Sequence, residues 1–219
     1  MTKPPPAPKG PQIYLATPPV SDPGELVRAL PELIASADIA AVLVRLAEAD
    51  ERSMIQRGKA LAPAIQNANA AMLIADRFEL VARIGADGAH LRDLAALNEA
   101  LPTLKPERIA GVAGLESRHD AMLAGETADY VMFGEPPAQG PRPATDAIAE
   151  RLSWWAEVFE VPCVGYAATR DEALAFAATG AEFLLLGQFI WEDPRGPKPA
   201  LMDVRDAIGQ NRPARKAED

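Results

Sequence analysis

"DRFELVARIGADGAHL" (76–91) reads as a short helix that ends at Gly85 and turns straight into a strand carrying a histidine. The phrase returns as "ALAFAATGAEFLLLG" (173–187) and, more loosely, as "AMLAGETADYVMFG" (121–134). Each copy has the same parts. A glycine near the helix end supplies a left-handed cap. A small alanine then lets the loop pass beneath its neighbours, and an acidic residue opens the strand. A helix-to-strand joint used repeatedly means repeated architecture, and it sets the period in which the rest of the chain is read.

Working outward, short apolar runs bounded by turn residues mark eight strands: 12–17, 40–46, 70–75, 88–91, 108–112, 130–134, 163–166 and 183–187. Most are apolar throughout, as strands covered on both faces are. Helical patterns fall between them at 22–36 (interrupted at Pro31), 51–67, 77–84, 93–101, 117–126, 144–159, 170–179 and 199–208. Strict alternation argues for parallel strands with right-handed crossovers, and eight units predict a (β/α)8 TIM barrel. The alternative, an open doubly wound sheet, often carries a glycine-rich first turn, and "LATPPVSDPG" (15–24) is not one.

The chain has 219 residues and is 48% hydrophobic, which suffices for one sizeable core and a single domain over 12–208. The Pro-rich start (1–11) and the end "QNRPARKAED" (210–219) read as disordered tails, the second taken from 209. A net charge of −9 opposes non-specific binding to nucleic acid or anionic lipid. No apolar run reaches the roughly 20 residues of a membrane span, and the first residues do not resemble a secretory signal. A single Cys163 excludes an internal disulfide, so the cytoplasm is the expected location. Zinc patterns, a P-loop, a serine elbow and a catalytic cysteine arrangement are absent from the sequence.

In a TIM barrel the chemistry lies at the C-terminal ends of the strands. Those ends offer Arg45; Asp76 and Arg77; His90, Arg92 and Asp93; Glu135; Tyr166; and Gln188. Asp76 also reads as a helix N-cap, and His90 as a structural histidine at the rim. Glu135, between Gly134 and two prolines, is poorly placed for packing. Arg45, Arg77, Arg92 and Arg142 together would suit an anion in an otherwise acidic protein. Trp154 and Trp155 cannot both face the barrel, which leaves one to meet a loop or a partner subunit, as in a homodimer.

Taken in order and spacing, "QIYLAT", "VLVRLAEA", "LIADRFELVARIGADGAHL", "RIAGVAG", "ADYVMFGEP" and "VPCVGYAATRDEALAFAATGAEFLLLG" resemble the thiamine phosphate synthase family, which includes the thiazole tautomerases. The resemblance runs from about Gln12 to Ile190. It implies a (β/α)8 barrel and a transferase that joins a pyrimidine pyrophosphate to a thiazole phosphate, with Mg2+ on the pyrophosphate. The family's Gln-x-Arg-x-Lys falls on Arg45, Ala47 and Ala49. Its Asn-Asp falls on Ala75 and Asp76, which keeps one metal carboxylate. Its His-Leu-Gly-Gln-x-Asp falls on His90, Leu91, Arg92, Asp93, Leu94 and Ala95, so Asp93 becomes the nearest second carboxylate. The Ser or Thr after strand five is replaced in "GVAGL", and the Thr-rich loop after strand six becomes "EPPAQGPRP". The Gly-Gly that approaches the thiazole phosphate falls on Ala167 and Ala168, the serine after strand eight on Gln188, and the tautomerase histidine on Glu135. A carboxylate there would transfer protons if its pKa were raised.

Three expectations follow. The chain is an enzyme of thiamine metabolism with altered residues and weak or lost synthase activity. Or it is a non-catalytic relative that binds a phosphorylated ligand or a partner. Or it is a different small-anion enzyme using Glu135 and Asp76. Within the resemblance, Glu135 and His90 are the candidate catalytic residues. Arg45, Arg77, Arg92, Tyr166 and Gln188 are the candidate phosphate ligands. Asp76 and Asp93 would hold Mg2+ only together with a pyrophosphate.

Overall fold

The computed structural model describes residues 10–137 and 139–210. Of the two expected tails, only Gly10, Pro11, Gly209 and Gln210 lie inside the described residues. The elements run β1 (Gln12–Ala16), α1 (Gly24–Ala37), β2 (Ile39–Val44), α2 (Glu51–Gln66), β3 (Ala71–Ala75), a 3-10 turn (Phe78–Leu80) leading into α3 (Val81–Ile84), β4 (Gly88–Leu91), α4 (Leu94–Leu104), β5 (Ile109–Val112), α5 (Arg118–Gly125), β6 (Tyr130–Phe133), α6 (Thr145–Val158), β7 (Cys163–Ala167), α7 (Arg170–Ala177), β8 (Phe183–Leu186), α8 (Gln188–Trp191) and α9 (Pro197–Gln210). All strands pair in parallel, and β1 closes on β8 with Gln12 opposite Phe183 and Leu15 opposite Leu186. This is a (β/α)8 barrel. No described helix is long and apolar enough to cross a membrane.

The predicted interruption at Pro31 does not occur, and α4 runs on past residue 101, where the predicted helix ended. Pro31 sits inside α1 and Pro102 inside α4, and both helices continue. An interior proline costs about 3 kcal/mol in an isolated helix. Here Leu30, Leu33, Ile34 and Ala37 of α1, and Leu97, Ala100 and Leu104 of α4, are buried against the barrel. Burial of these side chains, at roughly 1.5–3 kcal/mol for each large one, outweighs that cost in both helices. The predicted helix 77–84 divides into a 3-10 turn and α3. The short α8 lies in a stretch expected to be loop.

The repeated joint has a definite physical role. Gly85 and Gly180 take the left-handed conformation, with φ of 83° and 91°. The looser third copy manages without one, since Gly125 is helical and the cap, Glu126, is right-handed. All three copies share the acid. Asp87 Oδ2 accepts the backbone N–H of Met72 at 2.7 Å, Asp129 Oδ2 that of Ala110 at 2.7 Å, and Glu182 Oε2 that of Cys163 at 2.9 Å. Before β4, β6 and β8 the opening acid thus satisfies an N–H at the start of the strand before it.

One core lies between strands and helices, and a second fills the barrel with Tyr14, Leu43, Leu73, Tyr130, Met132, Val164, Tyr166 and Leu185. Trp155 is fully buried, stacked on Phe159 at 4.1 Å, with its indole N–H donating to the carbonyl of Val161. Trp154 lies under the guanidinium of Arg118 from α5 at 4.7 Å. Trp154 thus meets a side chain of α5. Cys163 is free and buried, and burial pushes its thiol up to about 12.

Replacing Asp129 by Ala leaves the N–H of buried Ala110 without an acceptor. The expected loss is about 1–3 kcal/mol of unfolding free energy, with Asp129→Asn losing less because an amide oxygen still accepts. Urea unfolding of the three chains checks this, and equal losses for Ala and Asn would contradict it.

Candidate functional site

At the C-terminal ends of the strands lies a cavity of about 280 Å³, lined by Arg45, Leu46, Glu48, Ala75, Asp76, Arg77, His90, Arg92 and Glu135. β2 delivers Arg45, whose backbone N–H donates to the hydroxyl of buried Thr17 at 3.1 Å. Asp76 follows β3 in the left-handed region at φ 59°, its N–H held by the carbonyl of His90 at 2.9 Å. A non-glycine residue in that region is uncommon, and it turns the chain directly over the mouth. Gly134, at φ 90°, does the same for Glu135. A Cβ there would lie 2.9 Å from Ile148 and 3.2 Å from the carbonyl of Tyr166.

A buried polar chain runs down from this cavity. Glu135 Oε2 lies 3.4 Å from His90 Nε2, His90 Nδ1 lies 2.8 Å from the Tyr130 hydroxyl, and that hydroxyl lies 3.2 Å from the hydroxyl of Tyr14. Glycine makes the chain geometrically feasible. His90 pairs in register with Gly111, and Gly111 with Tyr130. A Cβ on Gly111 would sit 1.9 Å from the Tyr130 ring, so its absence lets a β6 side chain reach across β5 to a histidine on β4. Burial pushes both phenols above their ordinary range, so they remain protonated donors.

Burial opposes ionisation of Glu135. The hydrogen bond and charge of His90 and the charge of Arg45, 3.9 Å away, outweigh it and hold the carboxyl below the ordinary carboxylate range. The condition set for proton transfer by a carboxylate here, a raised pKa, is therefore not met, and the lowered pKa favours the ionised form. Because an ionised carboxylate only accepts, His90 Nε2 carries the hydrogen between them. Beyond it, Nδ1 and the two hydroxyls continue the network, with donor and acceptor roles that follow the imidazole's tautomer.

The other predicted residues fall outside the cavity wall. Asp93 caps α4, accepting the N–H of Ala96 at 2.7 Å, and faces Arg92 at 3.5 Å. Tyr166 points into the barrel core. Gln188 is exposed and donates to Glu192 at 2.7 Å. Arg77, which does line the wall, pairs with Glu48 at 2.5 Å. Arg142 does not join the other arginines. Its guanidinium grips Glu172 through two bonds of 2.6 and 2.9 Å. Tyr14, Tyr130 and Glu172 carry no sequence signal apart from strand or helix periodicity.

The family model for thiamine monophosphate synthase matches residues 13–190. The chain belongs to that family. The thiamine-phosphate synthase of Rhodospirillum centenum is 37% identical over 196 residues, covering 88% of this chain and 95% of the relative. That of Hyphomonas neptunium is 34% identical over 199 residues, covering 87% and 90%. Among solved structures, thiamine phosphate pyrophosphorylase from Pyrococcus furiosus superposes with a TM-score of 0.74 at 22% identity, covering 91% of this chain and 96% of that one, a likeness of fold.

For the Mg2+ that this family implies, the donor set is thin. Among the described residues no group of three or more His, Cys, Asp or Glu converges. Asp93 is spent on its helix, Glu48 pairs with Arg77, and Glu135 is held by His90 and Arg45, which leaves Asp76 as the wall carboxylate with no such pairing among the described residues. Mg2+ keeps several waters and takes one or two carboxylates plus substrate phosphates. The residues fit the ion only as a companion of a bound diphosphate. Calorimetry with Mg2+ alone should therefore detect no micromolar binding.

A lowered folded pKa contributes stability that is present above the unfolded value and is lost as pH falls through the folded one. The stability deficit of Glu135→Gln relative to the parent is thus expected to be largest near neutrality and to shrink as pH drops below about 4.3. Denaturant unfolding along a pH series measures it, and a deficit that widened in acid would contradict the assignment.

Proposed function

We propose that this family member binds a phosphorylated small molecule of thiamine biosynthesis at the strand C-termini, with synthase activity weak or lost. The anionic end would face Arg45, Arg77 and Arg92. A Mg2+ arriving with a diphosphate would be held by Asp76 and would neutralise charge on that group. The observation that carries the reading is the charge balance after β2. Ala47 and Ala49 stand where the family's Arg and Lys fall, and the remaining Arg45 is opposed by the ionised Glu135.

A second reading has its own support in the Glu135–His90–Tyr130–Tyr14 chain. An ionised carboxylate beside a histidine N–H can accept a proton from a bound ligand, weakly while its pKa stays below the ordinary range, and the two buried phenols fix the imidazole's orientation. Proton abstraction from a small anion would then be the retained chemistry, with Glu135 as base and His90 holding it in place.

A charge-assisted hydrogen bond contributes about 1.5–3 kcal/mol, so two lost at Ala47 and Ala49 cost about 3–6 kcal/mol. That corresponds to roughly 10² to 10⁴ in rate. Given both synthase substrates and Mg2+, the purified protein should form thiamine phosphate at least ~10² times more slowly than a synthase with the complete Gln-x-Arg-x-Lys motif. Oxidation to thiochrome and fluorescence measure the product. A rate within tenfold, abolished by Asp76→Ala, would overturn the weak-activity reading.

A further inference from the structure

At the end of β7 the chain supplies its own anion. Glu172 is buried, and each of its oxygens takes two donors. Oε1 accepts from Arg142 Nη1 at 2.6 Å and from the Thr145 hydroxyl at 3.0 Å. Oε2 accepts from Arg142 Nη2 at 2.9 Å and from the backbone N–H of Ala168 at 2.7 Å. A guanidinium fork, a hydroxyl and a main-chain N–H make up a typical donor set for phosphate. The position is also typical, since loops after strands seven and eight frequently bind phosphate in TIM barrels. Arg142 is itself fixed from behind, donating to the carbonyls of Gly134 and Tyr166. The donors are thus preorganised independently of any ligand, and a side chain occupies them.

We infer that Glu172 stands in for a ligand's anion at the end of β7, so that the mouth takes small molecules charged at one end only, the end facing Arg45 and Arg92. The choice of ligand rests on the function proposed above, whereas the occupancy of these donors by Glu172 does not. Opposite this closed position, the arginine side of the cavity stays open: Arg92 is 69% exposed and, among the described residues, its side chain pairs only with Asp93. A phosphate arriving at β7 would have to displace a carboxylate bound by four donors, and it would leave that carboxylate unpaired.

Thermal unfolding in inorganic phosphate, against chloride of equal ionic strength, tests the occupancy. Glu172→Ala should melt below the parent in chloride. Phosphate should raise its Tm by at least ~2 °C more than it raises the parent's, as expected for a site filled at several times its dissociation constant. The gain should vanish in Glu172→Ala/Arg142→Ala and persist in Glu172→Ala/Arg92→Ala, which separates this position from the arginine side. If Glu172→Ala does not fold in chloride, recovery on refolding in phosphate meets the expectation. Glu172→Ser repeats the comparison, and failure of both to respond to phosphate overturns the inference, as does a gain that survives loss of Arg142. Calorimetry with thiazole phosphate and its unphosphorylated alcohol tests the consequence. Glu172→Ala should prefer the phosphate at least ~tenfold more than the parent does, the equivalent of one charge-assisted bond. If the parent binds neither compound while phosphate still rescues the variant, the proposed function fails and the occupancy of the donors stands.

Discussion

The hydrogen bond between a strand's leading N–H and the acid that opens the next strand sets the floor of this barrel. A parallel strand cannot be joined to its neighbour by a tight turn, so every crossover returns through a helix and must be re-registered at the bottom. At Asp129 the side chain accepts the N–H of Ala110 while its own N–H donates to the same residue's carbonyl at 2.8 Å. Asp87 and Met72 form the same two-bond ring, closed by an N–H to carbonyl distance of 2.9 Å. Such a ring permits one register and no other. Asp38 occupies the corresponding place before β2, although there the backbone turns left-handed at φ 53° and no side-chain bond to β1 is made. With the floor fixed in this way, the strand C-termini can differ in sequence without unfastening the fold.

Legibility follows the same division. The strands were readable because a strand covered on both faces must be apolar, and the joints because left-handed caps and opening acids require particular residue types. Pro31 misled because a local cost was judged without the burial of Leu30, Leu33 and Ile34 that offsets it. At the mouth, Arg45, Asp76, Arg77, His90, Arg92 and Glu135 could be named from strand ends alone, and all six line one cavity. Asp93 and Gln188 could not be separated from them by position, since a residue one step past a strand either faces the mouth or caps the next helix. Glu172 was invisible for a different reason. Its meaning depends on Arg142, thirty residues away on the loop before α6, and sequence spacing carries no information about that pairing.

The polar chain inside the barrel shows how such pairings depend on small residues. Tyr130 reaches His90 only because Gly111 leaves the intervening strand bare. The two rings lie nearly parallel, 5° apart with centroids at 5.7 Å, so stacking and the hydrogen bond fix the imidazole together. A buried hydroxyl without a partner would cost a few kcal/mol, and the second phenol, Tyr14, removes that cost by closing the network. The glycine in β5 thus governs the orientation of a side chain on β4, and through it the hydrogen bond received by Glu135 at the mouth.

Each arginine near the mouth is matched to a carboxylate of the chain, and the pairs differ in how readily a ligand could part them. Arg92–Asp93 and Arg77–Glu48 stand in solvent, where such pairs are worth about 0–1 kcal/mol. Both sides can rehydrate, so a phosphate can take either guanidinium at little cost. Arg45–Glu135 is intermediate, since its atoms are 3.9 Å apart and its acid is also held by His90. Arg142–Glu172 is the most enclosed, with side chains only 19% and 11% exposed, and breaking a buried pair costs about 3–5 kcal/mol because one charge is left uncompensated. Exposure therefore ranks the arginines as anion acceptors: those after β3 and β4 are available, the one after β2 is conditional, and the one beside β7 is withheld. In an acidic protein with this arrangement, the direction from which an anionic ligand is received is set by which internal carboxylates can be returned to water.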